Sequence, residues 1–128
     1  MKLTNEILNQ QIFLNIEKLY ITWTKVNDIS YLKNIKKLSI NEYITDEQIN
    51  KFDLISLDTR TNDNVKCINQ PNLTKLNISR NQYKIDLLKM PKITNLSLGT
   101  YGKNFYDDDS IKHLKLQKLQ FNFRKQYK

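Results

Sequence analysis

Few side chains in this chain are of a type and spacing to do chemistry. His113 is the only histidine, with Lys112 and Lys115 close on either side, so no second imidazole exists to complete a metal site or a relay. Cys67, the only cysteine, lies between Lys66 and Ile68; one thiol excludes a disulfide framework and reads as a small buried hydrophobe. Asp107, Asp108 and Asp109 precede Ser110 without the alternation or the glycine of a calcium loop. They read as an acidic cap on a turn over Ile111–Leu114, because helix amino ends favour negative charge. Gly99 and Gly102 are the only glycines and build no phosphate-cradling loop. The chain is therefore expected to be no enzyme, with no metal and no cofactor.

What remains is charge and aromatic surface. Lys and Arg number 21 against 13 Asp and Glu, a formal charge of +8. Eighteen of the 21 cations are lysine, asparagine occurs 16 times and alanine is absent, a bias that points to AT-rich codons and a bacterial, protist or viral source. Part of the charge is thus compositional. No apolar run approaches the ~20 residues needed to cross a bilayer. The polar-interrupted stretch from Met1 to Leu14 is no secretory signal, so the expected location is cytoplasmic, of the producing cell or of a host if the source is viral. For the same reason the glycosylation-type triplets at Asn72, Asn77 and Asn95 carry no weight.

The elements that must position these groups come from a repeat. Apolar-x-x-apolar-x-apolar occurs at Ile16–Leu19–Ile21, Ile35–Leu38–Ile40, Phe52–Ile55–Leu57, Leu73–Leu76–Ile78, Ile93–Leu96–Leu98 and Leu116–Leu119–Phe121. The third unit has a second register, from Leu54, with even spacing but with Thr59 at an apolar position; both registers turn Leu57 inward and Ser56 and Asp58 outward. Leu73 to Asn81 resembles the leucine-rich repeat signature L-x-x-L-x-L-x-x-N at every position. Val26, Ile29, Leu32 and Ile35, like Leu87, Met90 and Ile93, recur every three residues, which suits 3₁₀ turns. That segment looks like the convex side of the internalin and protein-phosphatase-regulator class of these repeats.

The resemblance implies an α/β leucine-rich repeat solenoid with a parallel concave sheet and short 3₁₀ or turn segments on the convex side. Residues 1–15 would form a helical cap, 16–123 an array of about six repeats and 124–128 a basic tail. Thr4 is expected to cap a helix over about Asn5–Phe13 that closes the first repeat with Ile7, Leu8 and Ile12. Leu3 to Phe13 is also faintly similar to the start of an F-box, without its proline and without room for its later helices; a cap is the better reading. Only Asn81 fills the repeat's asparagine position, with Thr24, Tyr43, Arg60, Tyr101 and Arg124 at the others. Since that asparagine ties turns together in regular members, a loosely wound spiral is expected, loosest at Thr59–Asn64 and Tyr101–Ser110.

The fold implies a role as a non-catalytic protein-interaction module, binding through the concave face. Lys18, Lys37, Lys75, Asn95 and Lys118 form one predicted column; Tyr20, Ser39, Ser56, Asn77, Ser97 and Gln120 the next; Thr22, Asn41, Asp58, Ser79, Gly99 and Asn122 a third. Trp23, Glu42 and Arg80 lie beside the third, and Trp23 either anchors an interface or tucks under the cap. Four lysines in one column suggest an unidentified protein partner with an acidic surface. Nucleic acid is disfavoured: Lys18, Lys36, Lys37, Lys75, Arg80 and Lys118 against Glu17, Glu42, Asp53 and Asp58 leave only +2. A basic edge from Lys112 to Lys128 allows weak nucleic-acid binding. The last strand, about Lys118–Phe123, has no obvious cap, so the chain is read as a monomer or as an edge-paired, self-assembling homodimer.

Overall fold

Strands of three to five residues form where outward polar and inward aliphatic side chains alternate, the period of a pleated sheet with one face in water. The computed structural model describes residues 3–99 and 106–122. Six strands, β1 (Lys18–Tyr20), β2 (Lys37–Ser39), β3 (Ser56–Asp58), β4 (Lys75–Ile78), β5 (Asn95–Gly99) and β6 (Lys118–Asn122), lie parallel in chain order, each paired with the next. The molecule is a parallel-sheet solenoid of about five turns. Among the described residues the helices are single turns: α1 (Asn5–Leu8), α2 (Asp46–Ile49) and α3 (Asp108–Ile111), with 3₁₀ turns at Gln11–Phe13 and Leu87–Lys89.

The strand register decides the third repeat. Leu57 pairs with Leu38 and with Leu76, so the unit is Leu54–Leu57–Thr59. Leu54 is buried whereas Ile55 is 43% exposed, which overturns the reading Phe52–Ile55–Leu57. Thr59 tolerates its fully buried apolar position because its hydroxyl donates to the Asn77 carbonyl at 3.2 Å. The hydroxyl is thereby spared the cost of burial without a partner. One column of the interior is Leu19, Leu38, Leu57, Leu76 and Leu96; the next is Ile21, Ile40, Thr59, Ile78 and Leu98, all buried. On the convex side Val26, Ile29, Leu32 and Ile35 point inward at their three-residue spacing, as do Leu87, Met90 and Ile93. Val65 and Ile68 do the same, and the intervening Cys67 is consequently exposed, not buried as expected.

Thr4 caps α1 by accepting from the Ile7 amide at 3.2 Å. The helix stops at Leu8 instead of running to Phe13, and a separate 3₁₀ turn follows. Leu8 closes the first turn, with Phe13 and Leu14 packed against the core, while Ile12 faces outward at 78% exposure. Asp107 caps α3, accepting from the Ser110 amide and hydroxyl, so the acidic cap serves a turn that begins earlier than Ile111–Leu114.

Side-chain amides tie successive turns together even where the signature asparagine was expected to be missing. In the corrected register Asn62 falls on the signature position, and its amide donates to the carbonyls of Asn41 and Ile44. Asn81 does the same to Val65 and Tyr83. In the second repeat Tyr43 holds that position, and the buried Asn41, two residues earlier, supplies the bonds to the carbonyls of Thr24 and Val26. Thr59–Asn64, expected to be loose, is instead bonded to the neighbouring turns through Thr59, Thr61 and Asn62. On the convex side Gln70, fully buried, donates to the carbonyls of Ile49 and Phe52 and accepts from the Leu54 amide. Gln48 bridges Asn27 and Ile29 in the same way. The expected positions Tyr101 and Arg124, the segment 101–105 and the tail 124–128 lie outside the described residues.

Candidate functional site

The sheet pairing fixes which outward side chains stand side by side. Lys18 pairs with Lys37, Lys37 with Ser56, Ser56 with Lys75, Lys75 with Asn95, and Asn95 with Lys118. Four lysines do share one column, with Ser56 and Asn95 as the neutral steps between them. Lys18, Lys75 and Lys118 are exposed and Lys37 is half-buried. Lys18 and Lys37 oppose one another directly across strands ~4.8 Å apart, whereas the neutral residues on the third and fifth strands separate Lys37, Lys75 and Lys118 from each other.

The second column is Tyr20, Ser39, Asp58, Asn77, Ser97 and Gln120, so Asp58 belongs here and Ser56 in the lysine column. Both shifts follow from the corrected third repeat. Tyr20 is 62% exposed; Ser39, Asn77 and Ser97 are half-buried, and Asn77 already accepts from the Ser79 amide. The third column largely fails as a binding surface. Asn41 is fully buried and Ser79 is 9% exposed. Asn41 thus has a structural role, and Ser79's carbonyl sits where a side chain on Gly99 would be: a Cβ built there would lie 1.4 Å from that oxygen.

Beyond the strands the chain turns sharply, and these turns hold the more distinctive chemistry. Thr24 bonds back to the Ile21 carbonyl through both its amide and its hydroxyl, which pins the turn that carries Trp23. The indole is 91% exposed and is not tucked under the cap. The turns at Arg60 and Arg80 are closed by amides of Asn62 and Asn81 on the carbonyls of Thr59 and Ile78. Arg60 grips Asp58, with Nε 2.9 Å from Oδ2 and 3.1 Å from Oδ1, and Nη2 2.8 Å from Oδ2. A hollow of about 310 Å³ opens between these turns, lined by Thr22, Trp23, Ile40, Asp58, Arg60, Thr61 and Arg80. Arg60 was not among the residues expected on the binding face. Its signal lay in the sequence, because Asp58 and Arg60 are opposite charges only two residues apart, at the end of a strand.

The remaining chemistry-bearing residues do not gather at this face. His113 Nε2 lies 3.2 Å from the Leu87 carbonyl. No group of three or more His, Cys, Asp or Glu side chains placed to hold a metal occurs among the described residues. The titration shifts are structural and lie elsewhere. The Ser30 hydroxyl and amide hold Asp28 below the usual carboxylate range, and Ser110 does the same for Asp107. Burial pushes the phenols of Tyr31 and Tyr106 up, with the Asp28 charge adding to the rise at Tyr31. No helix among the described residues is long and apolar enough to cross a membrane. No protein-family model, curated protein or solved structure matches the chain.

Proposed function

We propose that the chain is a leucine-rich repeat protein acting as a non-catalytic, cytoplasmic binding module for a protein partner with an acidic surface. The observation that carries this reading is the outward column of exposed Lys18, Lys75 and Lys118 with half-buried Lys37, set in register by strands whose inward leucines form the core. The signature L-x-x-L-x-L-x-x-N, present at Leu73–Asn81 and, but for Thr59, at Leu54–Asn62, supports the repeat class. The column attracts partners over about a Debye length, ~8–10 Å at physiological salt, so it acts chiefly on encounter rate.

Replacing Lys18, Lys37, Lys75 and Lys118 with Glu tests the proposal. All four point away from the core, so circular dichroism should be unchanged. Capture of host proteins by the variant should lose the acidic partners that the native chain retains. An identical captured set would refute the concave face as the site. Salt-sensitive capture of RNA in place of protein would transfer the column to a nucleic-acid role.

A further inference from the structure

The hollow beyond the strands collects the rarest functional residues of the chain. It is lined by the only tryptophan and by two of the three arginines, in a sequence where lysine supplies 18 of 21 cations. Compositional drift towards lysine accounts for lysines on a surface; it does not place arginine twice, from two different turns, beside one exposed indole. Arginine differs from lysine in offering a flat fork of donors that matches a carboxylate through two parallel bonds.

The two forks are in different states. Arg60 is spent on Asp58, and this pair leaves the hollow with no bare carboxylate. Arg80 is exposed and makes no side-chain hydrogen bond or ion pair with any described residue. The lining therefore carries one net positive charge, held on Arg80, in the same hollow as the exposed apolar surface of Trp23. Thr22 and Thr61 add small walls, and the Thr61 hydroxyl is already committed to the Ile40 carbonyl at 2.7 Å. The volume suits one large side chain and a carboxylate, not a folded surface.

We infer that this hollow is the anchoring pocket of the binding face, and that it takes a segment of the partner protein in which an Asp or Glu carboxylate neighbours an aromatic or large aliphatic side chain. The carboxylate engages Arg80 and the apolar group packs on Trp23, while the lysine column steers the approach. This rests on the protein-binding reading above and adds the element that selects among acidic partners. Nucleic acid fits less well, because a phosphate backbone needs several free cations in a row and the hollow supplies one, next to the Asp58 carboxylate.

The test is a displayed library of random 12-residue peptides, panned on the full chain and, in parallel, on a W23A/R80Q variant. The expected outcome is enrichment, on the native chain only, of sequences with Asp or Glu within about three residues of Phe, Tyr, Trp or Leu. A synthetic peptide from that set should bind R80Q or W23A about 30-fold or more weakly, the scale of a hot-spot residue. R80K, which keeps the charge and loses the fork, should fall between native and R80Q, and D58N should bind more tightly. Both side chains are exposed, so the variants should fold, and R80K keeps the test open should one not. Equal enrichment on native and variant, no enrichment on either, or selected sequences lacking the acidic–apolar pair would each overturn the anchor. A labelled 12-mer of thymidylate binding more tightly than the selected peptide, and sensitive to R80Q, would also overturn it, in favour of a single-strand site. If the peptides survive W23A/R80Q and are lost when Lys18 and Lys75 become Gln, the anchor falls and the concave reading stands. The reverse pattern leaves the anchor and removes the column.

Discussion

Gln70 offers the sharpest test of what holds the turns together. Its side-chain amide nitrogen lies 3.0 Å from the Ile49 carbonyl and 2.8 Å from the Phe52 carbonyl, and its oxygen accepts from the Leu54 amide at 2.8 Å. The residue is 0% exposed. Gln70→Glu preserves shape and replaces a two-proton donor by a carboxyl with one proton or none. Protonated, it still serves one of the two carbonyls, and the other loses a partner. Ile49 retains a bond from the Phe52 amide, so the orphan costs about 1–3 kcal/mol at most. Ionised, it sets a negative oxygen against two carbonyls in a site without water. Burial of this completeness raises a carboxyl pKa by roughly 3–5 units above its ordinary ~4.3. A raised pKa in the folded state means that the penalty is small below pH ~4.3 and grows as the unfolded chain ionises. The growth is about 1.36 kcal/mol per pH unit, until the folded pKa is reached near 7–9. By pH 8 this pH-dependent loss reaches about 4–5 kcal/mol, a large part of the 5–15 kcal/mol that stabilises a typical domain. Urea denaturation followed by circular dichroism, native against variant from pH 4.5 to 8, measures the difference directly. Trp23 is already in water and would report unfolding poorly. A native-minus-variant difference that stays flat across this range would refute the reasoning, since it would mean that residue 70 reaches solvent or that the turn re-forms without it.

Other outcomes follow from the same contacts. Gly99→Ala should cost at least the 1–3 kcal/mol typical of overpacking, visible as a lower melting temperature, because a Cβ there meets the Ser79 carbonyl and not a movable side chain. Trp23→Ala should change stability by less than ~0.5 kcal/mol in chemical denaturation despite removing the chain's largest side chain, since 91% of that residue is already exposed. Tyr31 and Tyr106 should ionise above the ordinary tyrosine range, read as the late-titrating absorbance lost in Y31F and Y106F. Their raised values contribute stability below about pH 10 that disappears as pH climbs through it, so the melting temperature of the native chain should fall more steeply there than that of Y31F. Cys67 should react with a thiol reagent in the native state as fast as in urea, because the residue is exposed; protection would place it back in the interior.

Most of the scaffold was legible because its determinants are local and repeated. Leu76 and Ile78 alternate with Lys75 and Asn77, and each neighbouring strand presents the same alternation, so strand positions and sheet order follow from one dimension of pattern. The third repeat was not decidable from composition of apolar positions alone. Phe52, Leu54, Ile55 and Leu57 satisfy two phases, and the phase that buries Thr59 wins because the Asn77 carbonyl takes its hydroxyl, a partner 18 residues away. That single shift moved Ser56 and Asp58 between columns and put Asn62 on the signature position. Asn41 was misread because a polar residue just past a strand looks like surface; its amide is instead consumed by two carbonyls of the preceding turn. The lysine column needed only the period, whereas the hollow needed the turns in three dimensions, since Trp23, Arg60 and Arg80 come from three separate repeats.

The uniform register has a consequence for how such a chain can change length. Strands β1 to β4 start 19 residues apart, at Lys18, Lys37, Ser56 and Lys75, and each residue meets its homologue one turn on. A 19-residue block such as 37–55 is therefore a unit of translation. Duplicating it in tandem would reproduce the same strand pairing and the same inward leucine, at the cost of no new loop. Deletion of one block would remove a rung and leave the rest in phase, whereas a residue gained or lost inside a strand would turn that strand's side chains onto the wrong face. Between strands it is absorbed, as between β4 and β5, which start 20 residues apart at Lys75 and Asn95 and stay in register. The face is in that sense graduated. Its span can grow or shrink in steps of one strand spacing, ~4.8 Å, with the core unchanged. The hollow bridges turns that such a step would separate, so there the count of repeats is constrained by chemistry.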